Sequence, residues 1–383
     1  MSSEKLFSDL QILNSDLPRQ RIRDFVKQLI VSEKLSSGDA IPSTRSLASL
    51  WNVDTAIVHS ALSDLVQERL IIRRHGKGTF VGQRRTKLHT IALYLSMASM
   101  SDPTKWFVRS VMVQLQELLG SRGIETRFWA DSRPIGQRGT LLPEWETAIR
   151  DKEVQAVMLV ECIKENLKFA RSIPLPLAAI TPENLPFAVS LNAKRLFELS
   201  LGRLAERGCR TAGLITVHPT SEAYKSYYDE LVEMAAQKHI QIRNEWIRIP
   251  KDLNGYGGFD LARFGYHEFH ALWDLKERPE GLIIEPDIVV EGAMAAILQR
   301  GVKVPDDLKL VLHRNESHEY ICPFPASQIV TSEKDYAISL MKQIDRQIAG
   351  EPCTPIRLCQ TLVDAAVDIP GHFVPRYKPS PKN

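Results

Sequence analysis

At 383 residues the chain exceeds one ordinary domain, and with 44% hydrophobic and 25% charged residues it has the composition of a globular protein. Net charge is +3, yet residues 1–88 carry 14 Lys+Arg against 9 Asp+Glu while the remainder carries 35 against 37, so the positive excess is local. The five cysteines are odd in number and lack C-x-x-C spacing, which argues against a disulfide framework or a zinc site. No basic start leads into an apolar core, and no run nears the ~18 apolar residues of a membrane span, so a cytoplasmic protein is expected.

Residues 18–35 place Ile22, Phe25, Val26, Leu29 and Ile30 at helical spacing and predict a first helix, whose Arg19, Arg21 and Arg23 are either phosphate contacts or an exposed helix start. Ser43 stands before a short apolar-periodic run that ends near Trp51, and its hydroxyl can cap that helix. Asp54 can cap the next, in which Ile57, Val58, Ala61, Leu62 and Leu65 share one face and leave the other for a groove. Ile71 and Ile72 then begin a strand, Arg73-Arg74-His75-Gly76-Lys77-Gly78 form a basic hairpin, and Thr79-Phe80-Val81 return. Residues 69–87 hold seven basic side chains and no acidic one, as phosphate contact requires.

The order G-D-x-I-P-S-x-R-x-L-A, V-x-x-A-L-x-x-L and G-x-G-T-F-V over roughly residues 18–82 resembles the winged helix-turn-helix of GntR-type bacterial transcription regulators. The resemblance implies a double-stranded DNA operator, contacted by Ser43, Arg45, Thr55, His59, His75, Gly76, Lys77 and Gly78. Asp54-Thr55 and His59 depart from the family's usual Ser-Arg and Arg, which implies an operator other than its commonest one.

Residues 83–89, QRRTKLH, are polar and basic without apolar periodicity and read as a linker between a domain at 1–82 and a second at 90–375. From Thr90 the rhythm is β-α-β: IALYLS, a helix over 104–122, IETRFWA, a helix over 143–152, VQAVMLV, then strands at 177–180 and 189–191 and a helix over 193–207. The pattern restarts with TAGLITV, helix 221–238, IRNEWIRI, helix 259–275, EGLIIE, helix 287–300, LKLVLH and a last helix over 335–349. Two successive α/β halves predict two doubly wound lobes with a cleft at the carboxyl ends of the strands. The run D-x-x-x-x-G-A-x-x-A-I-L-x-x-G-x-x-V-P-D-D-L at 287–308 resembles LacI/GalR-type effector domains, relatives of periplasmic sugar-binding proteins, over about 89–370. The combination is similar to arabinose-responsive GntR-type repressors.

That second resemblance implies ligand contacts at Trp106, Asn192 and Asp287, where an indole packs on C–H groups while amide and carboxylate bond hydroxyls. Trp106 also fits plain core packing, and Asp287 plain helix capping. The family's usual Arg after the sixth strand is missing, with Tyr224 in that neighbourhood, and His313-Arg314-Asn315 replace Gly-Phe-Asp; Tyr224 and Arg314 therefore join the candidates for a sugar or a sugar acid. No G-x-S-x-G, Walker loop or H-E-x-x-H stands in context, and NGYGG at 254–258 lacks the setting of a phosphate loop, so neither catalytic residues, metal nor cofactor are expected. A fused pyridoxal-phosphate domain would need a longer second part and a Schiff-base Lys in context. The expectation is a homodimeric repressor controlled by a small-molecule effector; the alternative keeps DNA binding but makes the second domain a ligand-free dimerisation or partner-binding platform.

Overall fold

The computed structural model describes residues 4–8, 18–32, 34–36, 38–68, 70–82, 88–102, 105–217, 222–250 and 258–364. Most of the expected linker, 83–87, and most of NGYGG, 254–257, lie outside these. The chain divides into two compact units, residues 1–87 with 345–352, and residues 88–344 with 353–383.

The first unit contains α1 (Glu4–Phe7), α2 (Pro18–Val31), β1 (Ala40–Ile41), α3 (Thr44–Trp51), α4 (Thr55–Gln67), β2 (Ile71–Arg74) and β3 (Gly78–Val81). Its helix starts form where the sequence supplies caps: Ser43 Oγ accepts from Ser46 N at 3.0 Å and Asp54 Oδ1 from Ala56 N at 2.7 Å. Asn52, at φ 49°, takes the left-handed conformation that ends α3. Ile22, Val26, Leu47, Val58, Leu62, Leu65 and Ile71 pack into one core, and Trp51 donates its indole N–H to the Phe7 carbonyl at 2.8 Å. The sheet order β1-β3-β2 makes β2 and β3 an antiparallel hairpin.

The second unit carries two six-stranded sheets. The first draws on β4 (Thr90–Ser96), β5 (Glu125–Asp131), β6 (Ala156–Leu159), β7 (Leu177–Ile180) and β8 (Ala188–Leu191), with α5 (Met97–Ser101), α6 (Trp106–Ser121), α7 (Pro143–Arg150) and α8 (Leu167–Ala170) between them. The chain crosses through α9 (Ala193–Glu206) into β9 (Thr211–Ile215), α10 (Glu222–Gln237), β10 (Gln241–Arg248), α11 (Gly258–Trp273), β11 (Gly281–Ile284), α12 (Asp287–Gln299), β12 (Lys309–Asn315), β13 (Ser327–Thr331) and α13 (Glu333–Ile348). It returns to the first sheet as β14 (Ile356–Leu358) and to the second as β15 (Thr361–Asp364). The orders are β14-β8-β7-β6-β4-β5 and β10-β9-β11-β12-β13-β15, parallel throughout except for β13 with β15.

Central strands β6, β11 and β13 are buried along their whole length, while edge strands β5 and β10 mix exposed and buried positions, the division expected of sheets covered on both faces. The sequence pattern reached the βαβ units and missed α5, α8, β13, β14 and β15, which are short and lack a period long enough to register. Among the described residues no helix is long and apolar enough to cross a membrane.

Helices α11 and α12 approach so closely that a Cβ on Gly292 would lie 1.7 Å from the Ala262 carbonyl oxygen. This contact is backbone on backbone and cannot be relieved by a side-chain rotation. Gly292→Ala is therefore expected to lower the stability of the second unit by ~3 kcal/mol or more, the upper end for overpacking, as read from the urea midpoint. A loss below ~1 kcal/mol would show that the two helices separate without resistance.

Candidate functional site

Two groups of side chains are candidates, one in each unit. In the first unit the cations of α2 face the acids of α4. Arg19 forks onto Asp64 at 2.6 and 2.9 Å, Lys27 reaches Glu68 at 2.6 Å, and Arg23 binds Asp24 at 2.8 Å. Of the arginines considered for phosphate, Arg19 is tied to α4 and Arg23 to Asp24 of its own helix, while Arg21 is exposed. Arg45, Thr55, His59, Arg73, Arg74, His75 and Lys77 are also exposed. Ser43 is committed to its cap and to Ser46 Oγ at 2.7 Å, and the Thr55 hydroxyl lies 3.5 Å from Asp54 Oδ1. The wing turn closes through Lys77 N to Arg74 O at 2.9 Å, with Gly76 at φ +69° and Gly78 at φ +113°, conformations that L side chains rarely adopt.

In the second unit, residues that follow β4 of the first sheet and β12 and β13 of the second line one crevice. The Asp287 carboxylate, at the first turn of α12, accepts from Asn315 Nδ2 at 2.8 Å and from His318 Nδ1 at 2.7 Å. His318 Nε2 lies 3.1 Å from Glu291 Oε1. With a carboxylate at each ring nitrogen, both nitrogens donate, and the ring is an imidazolium. The hydrogen bonds from His318 to Asp287 and to Glu291 push its pKa up to about 9 against a smaller burial effect. Burial alone would raise the Asp287 carboxyl, but the His318 hydrogen bond, the nearby His313 and His318 rings and the Asn315 amide hold it below the usual carboxylate range.

His318 reaches across to the first lobe. Its ring stacks on the Trp106 indole, centroids 5.5 Å apart and 16° from parallel, while the Arg109 guanidinium lies 5.0 Å from the same indole. Ser317 Oγ meets Ser110 Oγ of α6 at 2.6 Å, and the buried Glu333 carboxylate accepts from the Ser317 amide and hydroxyl. Beside this bridge is a cavity of about 490 Å³ lined by Trp106, Arg109, Ser110 and Gln114 of α6 and by Glu316, Ser317, Glu333 and Lys334. Trp106 is 46% exposed there, so it is not a core residue. At the end of the first sheet, Glu161 accepts from Ser99 Oγ at 2.6 Å and from Ser96 N at 3.2 Å.

Trp106 and Asp287 are thus brought together with His318 between them. Two expected ligand groups lie elsewhere. Asn192 caps α9, accepting from Arg195 N at 3.1 Å, while its amide nitrogen faces Cys359 Sγ at 3.9 Å. Arg314 donates to Gln328 Oε1 at 3.3 Å and to the Glu316 carbonyl at 3.0 Å, and neither Asn192 nor Arg314 lines the cavity. The Tyr224 side chain lies outside the described residues. Sequence reasoning missed His318, Ser317, Glu333 and Arg109 and met Asn315 only as a departure from Gly-Phe-Asp; Arg109 carried a signal, three residues after Trp106 on one helix.

Residues 18–81 match the gntR family of bacterial regulatory proteins, and residues 201–363 match the periplasmic binding protein-like domain. Relatives include the HTH-type transcriptional repressor PurR of Mannheimia succiniciproducens, 24% identical over 31% of this chain and 34% of its own length. Another is the NTD biosynthesis operon regulator NtdR of Bacillus subtilis, 28% identical over 33% of this chain and 36% of its own. The match therefore spans about a third of the length of these relatives. A crystal structure of a LacI-family regulatory protein from Chloroflexus aggregans superposes with a TM-score of 0.59 at 17% identity, covering 73% of this chain and 98% of that one. The likeness shows the fold.

The His318 pair makes stability depend on pH in a defined direction. Because the folded imidazolium titrates near 9 and an ordinary one near ~6.5, its contribution is complete below ~6.5 and is lost as pH rises through about 9. Asp287→Asn is expected to move the His318 ring titration down toward ~6.5, as followed by imidazole NMR, and to flatten the loss of stability between those values. An unchanged midpoint in that variant would remove Asp287 as the principal cause.

Proposed function

Because residues 18–81 carry a gntR-family helix-turn-helix and residues 201–363 a periplasmic binding protein-like domain, we propose that the chain is a sequence-specific transcription regulator, a repressor, controlled by a small-molecule effector. The observation that carries the reading is the exposed face of α4 standing beside a hairpin of Arg73, Arg74, His75 and Lys77, with Arg19 and Lys27 of α2 paired to Asp64 and Glu68. In this reading Arg45 contacts phosphate, Thr55 and His59 lie nearest base edges, and Gly76 and Gly78 let the wing approach the backbone closely enough for Lys77 to reach a phosphate or the minor groove. One head covers a half-site, so the operator-bound form is a homodimer, and the site of action is the cytoplasm. The repressor relatives support the direction of control. No catalytic step belongs to the reading.

The effector is a small polyhydroxy compound, a sugar or sugar acid, held in the crevice of the second unit by the Trp106 face and the Asp287 carboxylate. Touching both lobes, it favours one arrangement of them and changes operator affinity by its differential affinity for the two arrangements. The second reading, a ligand-free platform, is favoured by one observation: His318 and Ser317 already join the lobes across the crevice.

Two measurements separate these. A thermal-shift panel of sugars and sugar acids is expected to yield a stabilising compound, since a ligand at 100 times its Kd adds about 2.7 kcal/mol, and Trp106→Ala should abolish the shift. An unshifted transition across the panel supports the platform. Gly78→Val, at φ +113°, is expected to remove duplex binding in fluorescence anisotropy with the second unit's melting unchanged. Retained affinity would reduce the wing to a structural element.

A further inference from the structure

The face of α4 is not a row of independent side chains. Arg73, on strand β2, extends its guanidinium to the helix: Nη1 lies 3.1 Å from His59 Nε2, and Nη2 lies 3.4 Å from the His59 carbonyl and 3.3 Å from Ser63 Oγ. The Ser63 hydroxyl gives its own proton to the His59 carbonyl at 2.7 Å, so toward Arg73 its oxygen accepts. A guanidinium has only donors, so His59 Nε2 must be an acceptor and the neutral ring carries its proton on Nδ1. What the pair has left to offer is donors only: His59 Nδ1–H and the N–H groups of Arg73 that the helix does not engage.

We infer that Arg73 and His59 act as one recognition unit and that the edge it reads is guanine, whose O6 and N7 both accept in the major groove. The inference rests on the DNA-binding reading above and adds to it a residue outside the recognition helix. An adenine N6 or cytosine N4 amino group sets donor against donor and is disfavoured. Arg73 fixes the tautomer and orientation of His59, so it determines specificity even where it touches no base.

The test is selection of duplexes from a randomised library by the full chain, followed by affinities for the winning duplex and a scrambled one at one fixed salt concentration. Wild type, Arg73→Lys, Arg73→Gln, His59→Ala and the Arg73→Lys/His59→Ala double variant are compared, with melting curves to confirm folding. The winner is expected to hold guanine at one position where exchange for adenine weakens binding roughly tenfold, within the range of a good bidentate contact. Arg73→Lys and Arg73→Gln should each flatten that position, and the double variant should lose no more of the preference than either single change. If Arg73→Lys keeps the guanine preference, or the two losses add in full, Arg73 only fastens the wing to the helix and the inference is overturned. A wild type that selects another base at the His59-dependent position overturns it too. A wild type that binds no duplex overturns the DNA-binding reading itself, and the inference with it.

Discussion

A carboxylate taken out of water has to find donors, and Asp287 sets that requirement at the point where the two halves of the second unit meet. Its own lobe supplies Asn315, on the neighbouring strand β12, and His318, three residues further along the same chain segment. Removing one partner of a buried pair leaves an uncompensated charge, which costs far more than the intact pair contributes. The segment 316–318 is therefore pinned, and its position determines what the opposite lobe meets. Trp106 stacks on the imidazolium, Ser110 meets Ser317, and the cavity wall on that side consists of Glu316, Ser317, Glu333 and Lys334. One acid, at the amino end of a helix whose dipole also favours it, thereby shapes a surface shared by two lobes.

The reader solves a different electrostatic problem. Its positive excess serves DNA only if the cations stay on one face, and α2 would spread them over the back. Asp64 of α4 and Glu68 at its end bind Arg19 and Lys27, so the charge of the back is reduced and exposed charge gathers at Arg45 and along the hairpin. These exposed pairs add little to stability, because solvent screens them and both side chains lose freedom. Their consequence is the distribution of charge, which governs orientation on a polyanion.

What was legible in the sequence follows from range. Ser43 and Asp54 announce helix starts because a cap acts within three residues, and both side chains accept the expected amides. Gly76 and Gly78 announce a turn because their positive φ is a local requirement. Trp106 and Asp287 could be placed at strand ends by counting elements. His318 was not legible: it lies in the irregular stretch after β12, and its meaning comes from Asp287, Glu291 and Trp106, 31, 27 and 212 positions away. Asn192 shows the reverse, since a cap and a ligand amide look alike in sequence and only the geometry shows its oxygen accepting from Arg195. Arg19 and Arg23 read equally well as phosphate contacts until Asp64 and Asp24 are seen beside them.

The same pinning constrains any occupant of the crevice. Two cations, Arg109 and His318, already lie against the Trp106 indole, so a ligand that packs on that ring replaces at least one cation–π or stacking contact. Displacing His318 withdraws a charge-assisted hydrogen bond from Asp287 and leaves Asn315 as its side-chain donor. A compound that offers only an apolar face gains the indole and loses the carboxylate, a net cost while the acid remains ionised. A compound with a hydroxyl or amine beside an apolar face restores the lost donor as it takes the ring. The constraint thus selects for donors at one end of the ligand and C–H surface at the other, and size alone does not satisfy it.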